Sequence, residues 1–332
     1  MKLYAFINNE NLMESSSGGA FMALAKGFFS KFNNAIVYGC ANINNNIKHI
    51  RIDKYEECYK LQGSKYVMSN LSFIIKELQE DLRSGKVVLF IGTPCQVSSI
   101  KKMVANMNNL NDNLYTIDLI CHGTNRNNIW EDYLKWLEKK YKSKITNYNF
   151  RYKKQSWGGY PVLVEFENGK KIIDNYDSRV LNRMFFKHYS MNYSCYNCKF
   201  KRLDREGDIT LGDFWGIDKI DKSIDTKNGV SLLRINNKKG NTLFNNIEKD
   251  STFCKKVENL KDDFLEEKYA KKIAKPLDFE NFNLDYKNKG FEYIIKKYHF
   301  YTLLGKMRYY IIVLLKKIRL YNLFFKIRGM IK

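Results

Sequence analysis

The sequence predicts an α/β fold: a mixed α+β body around a central sheet, followed by a C-terminal helical tail. Three observations lead to this expectation. Short apolar runs suited to buried strands alternate with segments whose apolar residues recur at helical spacing. Two of these runs, at residues 87–91 and 114–121, lead directly into sharp polar turns. After about residue 290 the composition changes, so we expect a body at residues 1–290 and a basic amphipathic tail at residues 291–332.

The expected elements follow the chain in order. Strands are predicted at residues 2–8, 35–41, 47–53, 87–91, 114–121, 145–152, 162–167 and 171–173, and helices at residues 20–29, 71–83, 97–104 and 128–141. The runs at 87–91 and 114–121 lack polar alternation, which is typical of strands covered on both faces. The dipeptide Asn168-Gly169 has the chemistry of a hairpin turn between the last two strands.

Charge and composition limit the classes of function. The chain has 332 residues, 44% of them hydrophobic, which is enough for a large core and excludes wholesale disorder. Its net charge of +22 suggests nucleic acid or an anionic membrane as a partner. Residues 293–332, however, hold ten Lys or Arg and no Asp or Glu, and the body before them carries 47 basic and 35 acidic residues. Since no nucleic-acid-binding motif accompanies the charge, we expect no nucleic-acid partner.

Cysteine usage indicates a reducing compartment. Seven cysteines are an odd number, in a chain well above the size that needs disulfides. Residues 1–17 show no secretory signal, and the longest apolar run of the tail, residues 309–315, is far too short to span a bilayer. We therefore expect a cytoplasmic protein whose clustered cysteines bind metal or perform redox chemistry. Cys40, Cys58 and Cys254 lack partners at ligand spacing and are expected to be structural.

The strongest local signal is the pair Cys195 and Cys198. A spacing of two residues lets one turn aim both thiolates at the same metal or cluster. Basic residues from Lys199 to Arg205 would stabilise thiolates or an anionic cluster. The pair therefore predicts half of a metal or cluster site.

Two further cysteines are candidates for the other half. Cys95 and Cys121 each follow a predicted buried strand, at the sheet edge where open α/β proteins bind ligands. With Cys195 and Cys198 they make a complete set of four ligands, which suits zinc or a 4Fe-4S cluster. The isolated positions of Cys95 and Cys121 favour a cluster, but the spacing alone leaves both alternatives open.

A Ser/Gly-rich turn before the first predicted helix is the second signal. Its members are Ser15, Ser16, Ser17, Gly18 and Gly19. Hydroxyls, small residues and free N–H groups suit a phosphate or pyrophosphate. The turn lacks both the glycine pattern of dinucleotide folds and a phosphate-loop lysine, so nucleotide hydrolysis is disfavoured.

Two weaker features complete the candidates. Residues 208–217 place two glycines beside Phe214 and Trp215, which would bring backbone close to a flat cofactor or form a tight strand end. His122 is a candidate proton-transfer group, whereas His49, His188 and His299 have no local partner.

Seven short segments, in this order, resemble the beta subunit family of coenzyme F-420 hydrogenases and dehydrogenases, F-420 being a deazaflavin. The segments are residues 15–19, 63–66, 92–96, 118–123, 150–153, 194–200 and 208–217, and the resemblance covers roughly residues 1–235. The chain looks most like the bacterial branch that is often found beside polysaccharide-synthesis enzymes.

The resemblance implies an iron–sulfur flavoprotein oxidoreductase that binds FAD and one 4Fe-4S cluster. By motif match the cluster ligands would be Cys95, Cys121, Cys195 and Cys198. The Ser/Gly turn and the segment Gly63, Ser64, Lys65 and Tyr66 would lie against the flavin. Because a cluster moves one electron and hydride transfer moves two, the flavin would connect the cluster to an organic partner. That partner would be F-420 or an unknown substrate of a polysaccharide pathway.

Two departures from the family pattern bear on partners and substrate. Many relatives begin with a ferredoxin segment, and this chain starts after that segment would end, so a separate ferredoxin-like electron carrier is expected. Relatives often have Pro-Ser shortly after the Cys-His-Gly motif, where this chain has Asn125-Arg126.

The basic tail and the cysteines leave other interpretations open. Apolar clusters and basic pairs alternate in residues 293–332, so the tail would lie on an anionic membrane at the inner face of the cell, or pack on the body as helices. Two other classes of function remain at this stage, a non-enzymatic Cys₄ zinc protein and a basic RNA-binding protein.

Overall fold

The computed structural model describes residues 2–107, 110–248, 251–258, 260, 266 and 270–317. These residues form an eight-stranded mixed sheet, a three-stranded antiparallel sheet and helices around them, which confirms the predicted α/β class. The strands in this part of the chain are β1 (Lys2–Ile7), β2 (Ala35–Ile43), β3 (Asn46–Ile52), β4 (Val87–Gly92), β5 (Leu114–Leu119), β6 (Ile145–Asn149), β7 (Leu163–Phe166), β8 (Lys171–Ile173), β9 (Ile209–Asp213), β10 (Ser231–Ile235) and β11 (Phe253–Lys256). The α-helices are α1 (Ala20–Lys31), α2 (Ile75–Arg83), α3 (Pro94–Ala105), α4 (Asn127–Tyr141), α5 (Val180–Phe186), α6 (Tyr193–Tyr196), α7 (Ile217–Ile220), α8 (Lys238–Asn245), α9 (Phe279–Lys289), α10 (Phe291–Lys297) and α11 (Leu303–Lys317).

The direction of the strands brings many loops to one edge of the large sheet. Its order is β11-β1-β10-β9-β5-β4-β2-β3. The pairs β2–β4, β4–β5 and β5–β9 are parallel, and β10 is antiparallel to both β9 and β1. The carboxyl ends of β1, β2, β4, β5 and β9 therefore meet at the same edge, where α/β sheets bind ligands.

Strand β4 shows why a continuous apolar run marks a central strand. Leu89 and Ile91 pack on one side with α1, whereas Val88 and Phe90 pack on the other side with α2 and α3. Successive side chains point to opposite faces of a sheet, so a strand covered on both faces needs apolar residues throughout.

Helix α3 begins three residues before the predicted helix. Thr93 and Gln96 form a capping box, and Pro94 occupies the first helical position. Both features stabilise a helix start, because they satisfy or avoid the unpaired N–H groups of the first turn. As a result Cys95 lies in the first turn of α3, directly after β4.

The small sheet shares its core with the C-terminal helices. Residues of α4, β6 and β7 are buried together with Phe282 of α9 and with Phe291, Ile294 and Ile295 of α10. The division expected at residue 290 stays a prediction, since α10 packs with the body while most of the large apolar side chains of α11 are exposed. Residues 318–332, which include the apolar cluster at 323–325 and the basic Lys326 and Arg328 of the expected tail, lie outside the described residues.

In the described part of the chain, none of the helices combines the length and the apolar character that crossing a bilayer requires.

Candidate cofactor site

Two adjoining cavities lie at the carboxyl edge of the large sheet. The first, the large pocket, has a volume of about 280 Å³ and is lined by residues of the loop after β1, of residues 61–69, and of the ends of β4, β5 and β9. The second, the cysteine cavity, is lined by all four predicted cysteines together with Phe200, Lys201 and Arg205. The two share Met68, Thr93, Cys121, His122, Gly123 and Thr124 as a common wall.

Cys95 reaches the cysteine cavity through the turn between β4 and α3. The Thr93 hydroxyl lies 3.1 Å from Cys95 Sγ, and the amide of Thr93 donates to Gln96 Oε1 at 3.0 Å. Burial raises the pKa of the Cys95 thiol, the Thr93 hydroxyl lowers it, and the nearby Cys198 and Cys195 raise it again. The three cysteines are therefore close enough for their charges to interact.

Cys121 enters from the next strand, two residues after β5. Burial, followed by the neighbouring Cys195 and Cys95, raises the pKa of its thiol to about 12. The chain continues through Gly123 at a φ of +145°, and a Cβ there would lie 3.1 Å from Met191 Sδ and 3.5 Å from the Cβ of Cys195. Glycine at this position lets the segment after β5 approach the Cys195 turn closely.

Cys195 and Cys198 come from the one-turn helix α6 and the residues after it. This turn is tied to the segment after Cys121, because Asn192 donates its backbone N–H to Thr124 O at 3.0 Å and its side-chain amide to Thr124 Oγ1 at 2.9 Å. Three separate segments of the chain thus bring four thiols to one cavity.

Two cations complete the lining of the cysteine cavity. Burial lowers the pKa of Lys201, while Cys121, Cys198 and Cys195 raise it, so this ammonium group lies beside three of the thiols. The Arg205 side chain is only 2% exposed and pairs with the buried Asp118 at 3.0 Å. Its Nε is buried and has no hydrogen-bond partner among the described residues.

A buried N–H without a partner is compatible with an acceptor bound in the cavity that Arg205 lines, since such groups in proteins are nearly always hydrogen-bonded. A sulfur of an anionic cluster is an acceptor of this kind, and hydrogen bonds to the sulfurs are a usual feature of such sites. The positive charge of Lys201 suits an anionic group as well, whereas the charge of Arg205 is balanced by Asp118.

The lining of the cysteine cavity bears on which group it could hold. Among the residues that the structure describes, no three His, Cys, Asp or Glu side chains are grouped in a way that would hold one metal ion. A 4Fe-4S cluster takes four cysteine ligands. Four thiols spread around one cavity, with two cations and an unpaired N–H, fit the cluster.

The Ser/Gly turn lies at the large pocket, but the fold uses most of its hydroxyls. Ser15 Oγ donates to Asn11 O at 3.0 Å, and Ser17 Oγ donates to Val230 O at 2.8 Å. Gly18 packs beneath the turn, where a Cβ would lie 2.2 Å from Phe6 O. Ser15, Ser16, Ser17 and Gly19 line the pocket.

The second expected flavin segment lies directly beside the Ser/Gly turn at the large pocket. Ser16 Oγ accepts hydrogen bonds from the amide of Ser64 at 2.8 Å and from its hydroxyl at 3.0 Å. Lys65 Nζ donates to the carbonyl oxygens of Cys40, Leu61 and Gln62 at 2.7–2.8 Å, and burial lowers its pKa to about 8. Gly63, Ser64, Lys65 and Tyr66 all line the pocket, and their backbone is held in place by these bonds.

Two cations to which the sequence assigned no role lie behind the lining of the large pocket and bond to residues that line it. Arg151 is almost fully buried and pairs with Asp213, which lines the pocket, at 2.6 Å. Lys153 Nζ donates to Ser17 O at 2.6 Å, and burial lowers its pKa to about 8. Both cations belong to the motif at residues 150–153, which can be recognised in the sequence. Their partners, Asp213 and Ser17, lie 62 and 136 positions away along the chain, so the sequence does not reveal these contacts.

Residues 208–217 divide between two environments. Gly212 and Asp213 line the large pocket, as a close approach to a ligand requires. Phe214 is buried in a different apolar cluster, and Trp215 stacks on Trp157 with the ring centroids 4.0 Å apart.

His188 has no local partner in the sequence, but the fold brings it to His122. His188 Nε2 lies 3.2 Å from Nε2 of His122, although 66 positions separate the two residues. Desolvation, the charge of Lys201 and then His188 lower the pKa of His122, so its imidazole is neutral at pH 7. His122 lines both cavities, and one of the two ring nitrogens carries the shared proton.

A sequence model that describes the C terminus of the coenzyme F420 hydrogenase/dehydrogenase beta subunit matches residues 85–261, which is more than half of the chain. The chain belongs to this family. The resemblance expected from the motifs is therefore confirmed, and the chain is an oxidoreductase of the F420 hydrogenase/dehydrogenase beta subunit type. A comparison with curated proteins finds no similar sequence.

A solved structure gives independent support for the fold of this chain. The chain is similar to a chain of the F420-reducing [NiFe] hydrogenase complex from Methanosarcina barkeri, studied by xenon derivatization, with a TM-score of 0.53 and 19% sequence identity. The match covers 80% of this chain and 85% of that chain. At this identity the likeness establishes a shared fold.

Arg126, which belongs to the segment where this chain departs from the family pattern, contacts two helices. Arg126 donates to Asn283 Oδ1 at 2.8 Å and to Tyr189 O at 3.1 Å, and its guanidinium lies over the rings of Tyr193 and Phe279. It therefore connects helix α9 to helix α6, which carries Cys195.

Proposed function

We propose that this oxidoreductase holds a 4Fe-4S cluster on Cys95, Cys121, Cys195 and Cys198, and FAD in the large pocket. In this proposal it exchanges hydride with an organic partner, either F-420 or a substrate of a polysaccharide pathway. When bound, the cluster supplies single-electron transfer and the flavin converts it into two-electron chemistry.

The observation that carries this proposal is the wall that the two cavities share. Cys121, His122, Gly123 and Thr124 line both, so groups bound in the two cavities are direct neighbours. A structural zinc site needs no pocket of about 280 Å³ beside it, and an RNA-binding surface needs no buried set of four thiols.

The residues of the large pocket suit FAD by position and charge. The bonds from Ser64 to Ser16 hold the two flavin-side segments together at the pocket. Lys153 places a positive charge against the Ser/Gly turn, which favours a diphosphate. His122 is the proposed proton-transfer group, because it lines both cavities and its hydrogen bond to His188 gives a proton a route away from Cys121.

An acidic, ferredoxin-like carrier is the proposed electron partner. Lys199 is exposed next to Cys198, the neighbouring exposed Arg202 pairs with Glu206 at 2.5 Å, and Lys201 donates to the carbonyl of the exposed Lys271 at 3.2 Å. A basic surface of this kind attracts acidic proteins. The similar chain from Methanosarcina barkeri belongs to a hydrogenase complex, which supports a protein partner. The proposed location is the cytoplasm.

Anaerobic purification and reconstitution with iron, sulfide and FAD test this function. We expect about four irons and one FAD per chain, with the broad visible absorbance of an iron–sulfur cluster under the flavin bands. Reduced ferredoxin should then reduce the bound flavin, and added F-420 should be reduced if it is the partner.

Two results would replace the proposal with an alternative. A colourless chain with one zinc that fails to reconstitute would establish the zinc protein. Salt-sensitive retention of RNA by a chain without flavin would establish the RNA-binding protein.

A further inference from the structure

Helix α11 is fixed on the body along one side. Gly305, Tyr309 and Ile312 are half-buried, and their spacing of four and three residues places them on one face of the helix. The Tyr309 hydroxyl donates to Asp174 O, and the rings of Tyr309 and Tyr176 lie 5.9 Å apart. A Cβ on Gly305 would lie 2.3 Å from Tyr176 Oη, so the Tyr176 side chain would have to move to admit one. The contacts determine which face of α11 points outward.

The outward face is an unbroken apolar surface, which we name the outer stripe. Its exposed fractions range from 46% to 76%, and its members are Leu303, Leu304, Met307, Tyr310, Ile311 and Leu314. These positions recur every three or four residues, so they form one continuous strip along the helix. Soluble proteins seldom expose contiguous apolar surface of this kind unless it binds something.

Charge indicates what the outer stripe binds. The exposed Arg308 and the half-buried Lys306 lie on opposite edges of the stripe by their positions in the helix. From residue 293 to the end of the sequence there are ten basic residues and no acidic one. A second copy of this helix, or residues 318–332 of the same chain, would place like charges against each other. An anionic surface with an apolar interior matches both the stripe and its basic edges.

We propose that the outer stripe of α11 lies on an anionic lipid bilayer, with its apolar side chains at the depth of the headgroup boundary. Lys306 and Arg308 then lie at the level of the lipid phosphates, where each basic residue contributes to binding. Tyr310 has the amphipathic ring that is favoured at this interface. The proposal is independent of the redox function, since it concerns the face of α11 that points away from the body.

Co-sedimentation of the full chain with lipid vesicles tests the proposal. We expect binding to vesicles of phosphatidylcholine with phosphatidylglycerol, and little binding to phosphatidylcholine alone. Met307→Glu puts a charge in the middle of the outer stripe and should weaken binding about tenfold or more, since an apolar side chain is lost from the interface and a charge takes its place. Phe73→Glu is the matched control, because Phe73 is 68% exposed in the loop before α2 and the change in charge is the same.

Each other outcome overturns the proposal. Equal binding to both vesicle types would show that anionic lipid is not recognised. No binding to either, together with a dimer in solution that Met307→Glu dissociates, would assign the outer stripe to a second copy. Equal weakening by Phe73→Glu would show that net charge, rather than this stripe, controls binding.

Discussion

The cysteine cavity and the large pocket occupy the same edge of the same sheet, yet they are built differently. The cysteine cavity is defined by its side chains: four thiols, two cations and an N–H without a partner among the described residues. The large pocket is defined by backbone and by hydroxyls that already bond to the protein, such as Ser15, Ser16 and Ser17. Side chains that perform chemistry can be recognised in a sequence, whereas a surface made of backbone depends on the fold.

The sharpest test separates the four clustered cysteines from those elsewhere. Cys198→Ser removes one ligand from the cysteine cavity and should abolish the cluster absorbance, with loss of most of the bound iron. Cys58→Ser should keep both, because Cys58 is buried in the core and its pKa is raised to about 12, which keeps it a neutral thiol. Iron analysis and visible spectra after anaerobic reconstitution measure the difference. Equal loss in the two variants would contradict the ligand assignment.

A buried hydrogen-bond network joins residues of the large pocket to helix α3, which carries Cys95. The second prediction concerns the contribution of this network to stability. His49 Nε2 donates to Ile91 O at 3.0 Å, Ser69 Oγ donates to His49 Nδ1 at 2.9 Å, and Gln96 Nε2 donates to Ser69 Oγ at 2.8 Å. Because the carbonyl oxygen of Ile91 can only accept, His49 carries its proton on Nε2. Burial lowers the pKa of His49 from 6.5 to about 4.

Between these two pKa values the unfolded chain binds more protons than the folded chain. The free energy of unfolding should therefore fall as the pH drops from 6.5 to about 4, by up to about 3 kcal/mol from this residue. His49→Gln has no group that titrates there and should lose that part of the pH dependence. Urea unfolding at several pH values between about 4 and 6.5 measures this dependence. If the unfolding free energy has the same slope against pH in the wild type and in His49→Gln, His49 is not the titrating group.

A third prediction concerns the large pocket alone. Ser16→Ala removes the oxygen that accepts two hydrogen bonds from Ser64, so the segment at residues 63–66 loses its connection to the Ser/Gly turn. We expect FAD affinity to fall about tenfold, or about 1.4 kcal/mol, with the iron content unchanged. Flavin fluorescence titration measures the change, with Ser223→Ala on an exposed loop as the control. A matching loss of iron would show that the two cavities do not assemble separately.

The smallest predicted effect concerns the unpaired N–H of the cysteine cavity. Arg205→Lys keeps a positive charge near Asp118 but removes Nε, which is buried without a partner among the described residues. A lost hydrogen bond to a cluster sulfur should lower the midpoint potential by at most about 60 mV, with iron and FAD retained. Lys199→Arg, at an exposed neighbouring position, should leave the potential unchanged. If the potential of Arg205→Lys also stays the same, Arg205 only balances the charge of Asp118.

Elements with a strong local pattern were predicted well. The run at 87–91 became β4, and the prediction at 128–141 became α4, because Ile129, Tyr133 and Leu137 repeat at helical spacing and are buried. The strand predicted at 145–152 ended at Asn149, since Arg151 turns inward to pair with Asp213. The start of α3 was missed because a capping box depends on the side-chain bonds between Thr93 and Gln96.

The sequence by itself determined the fold class and the basic end of the chain, and it singled out the four cysteines as a candidate set. Local spacing and composition were sufficient for each of these. Only the tertiary structure decided that the four thiols line one cavity, that His122 meets His188, and that α11 turns its apolar face outward. The physical reason is that these facts depend on the direction and order of strands far apart in the chain, which pairing across the whole sheet determines and no local pattern records.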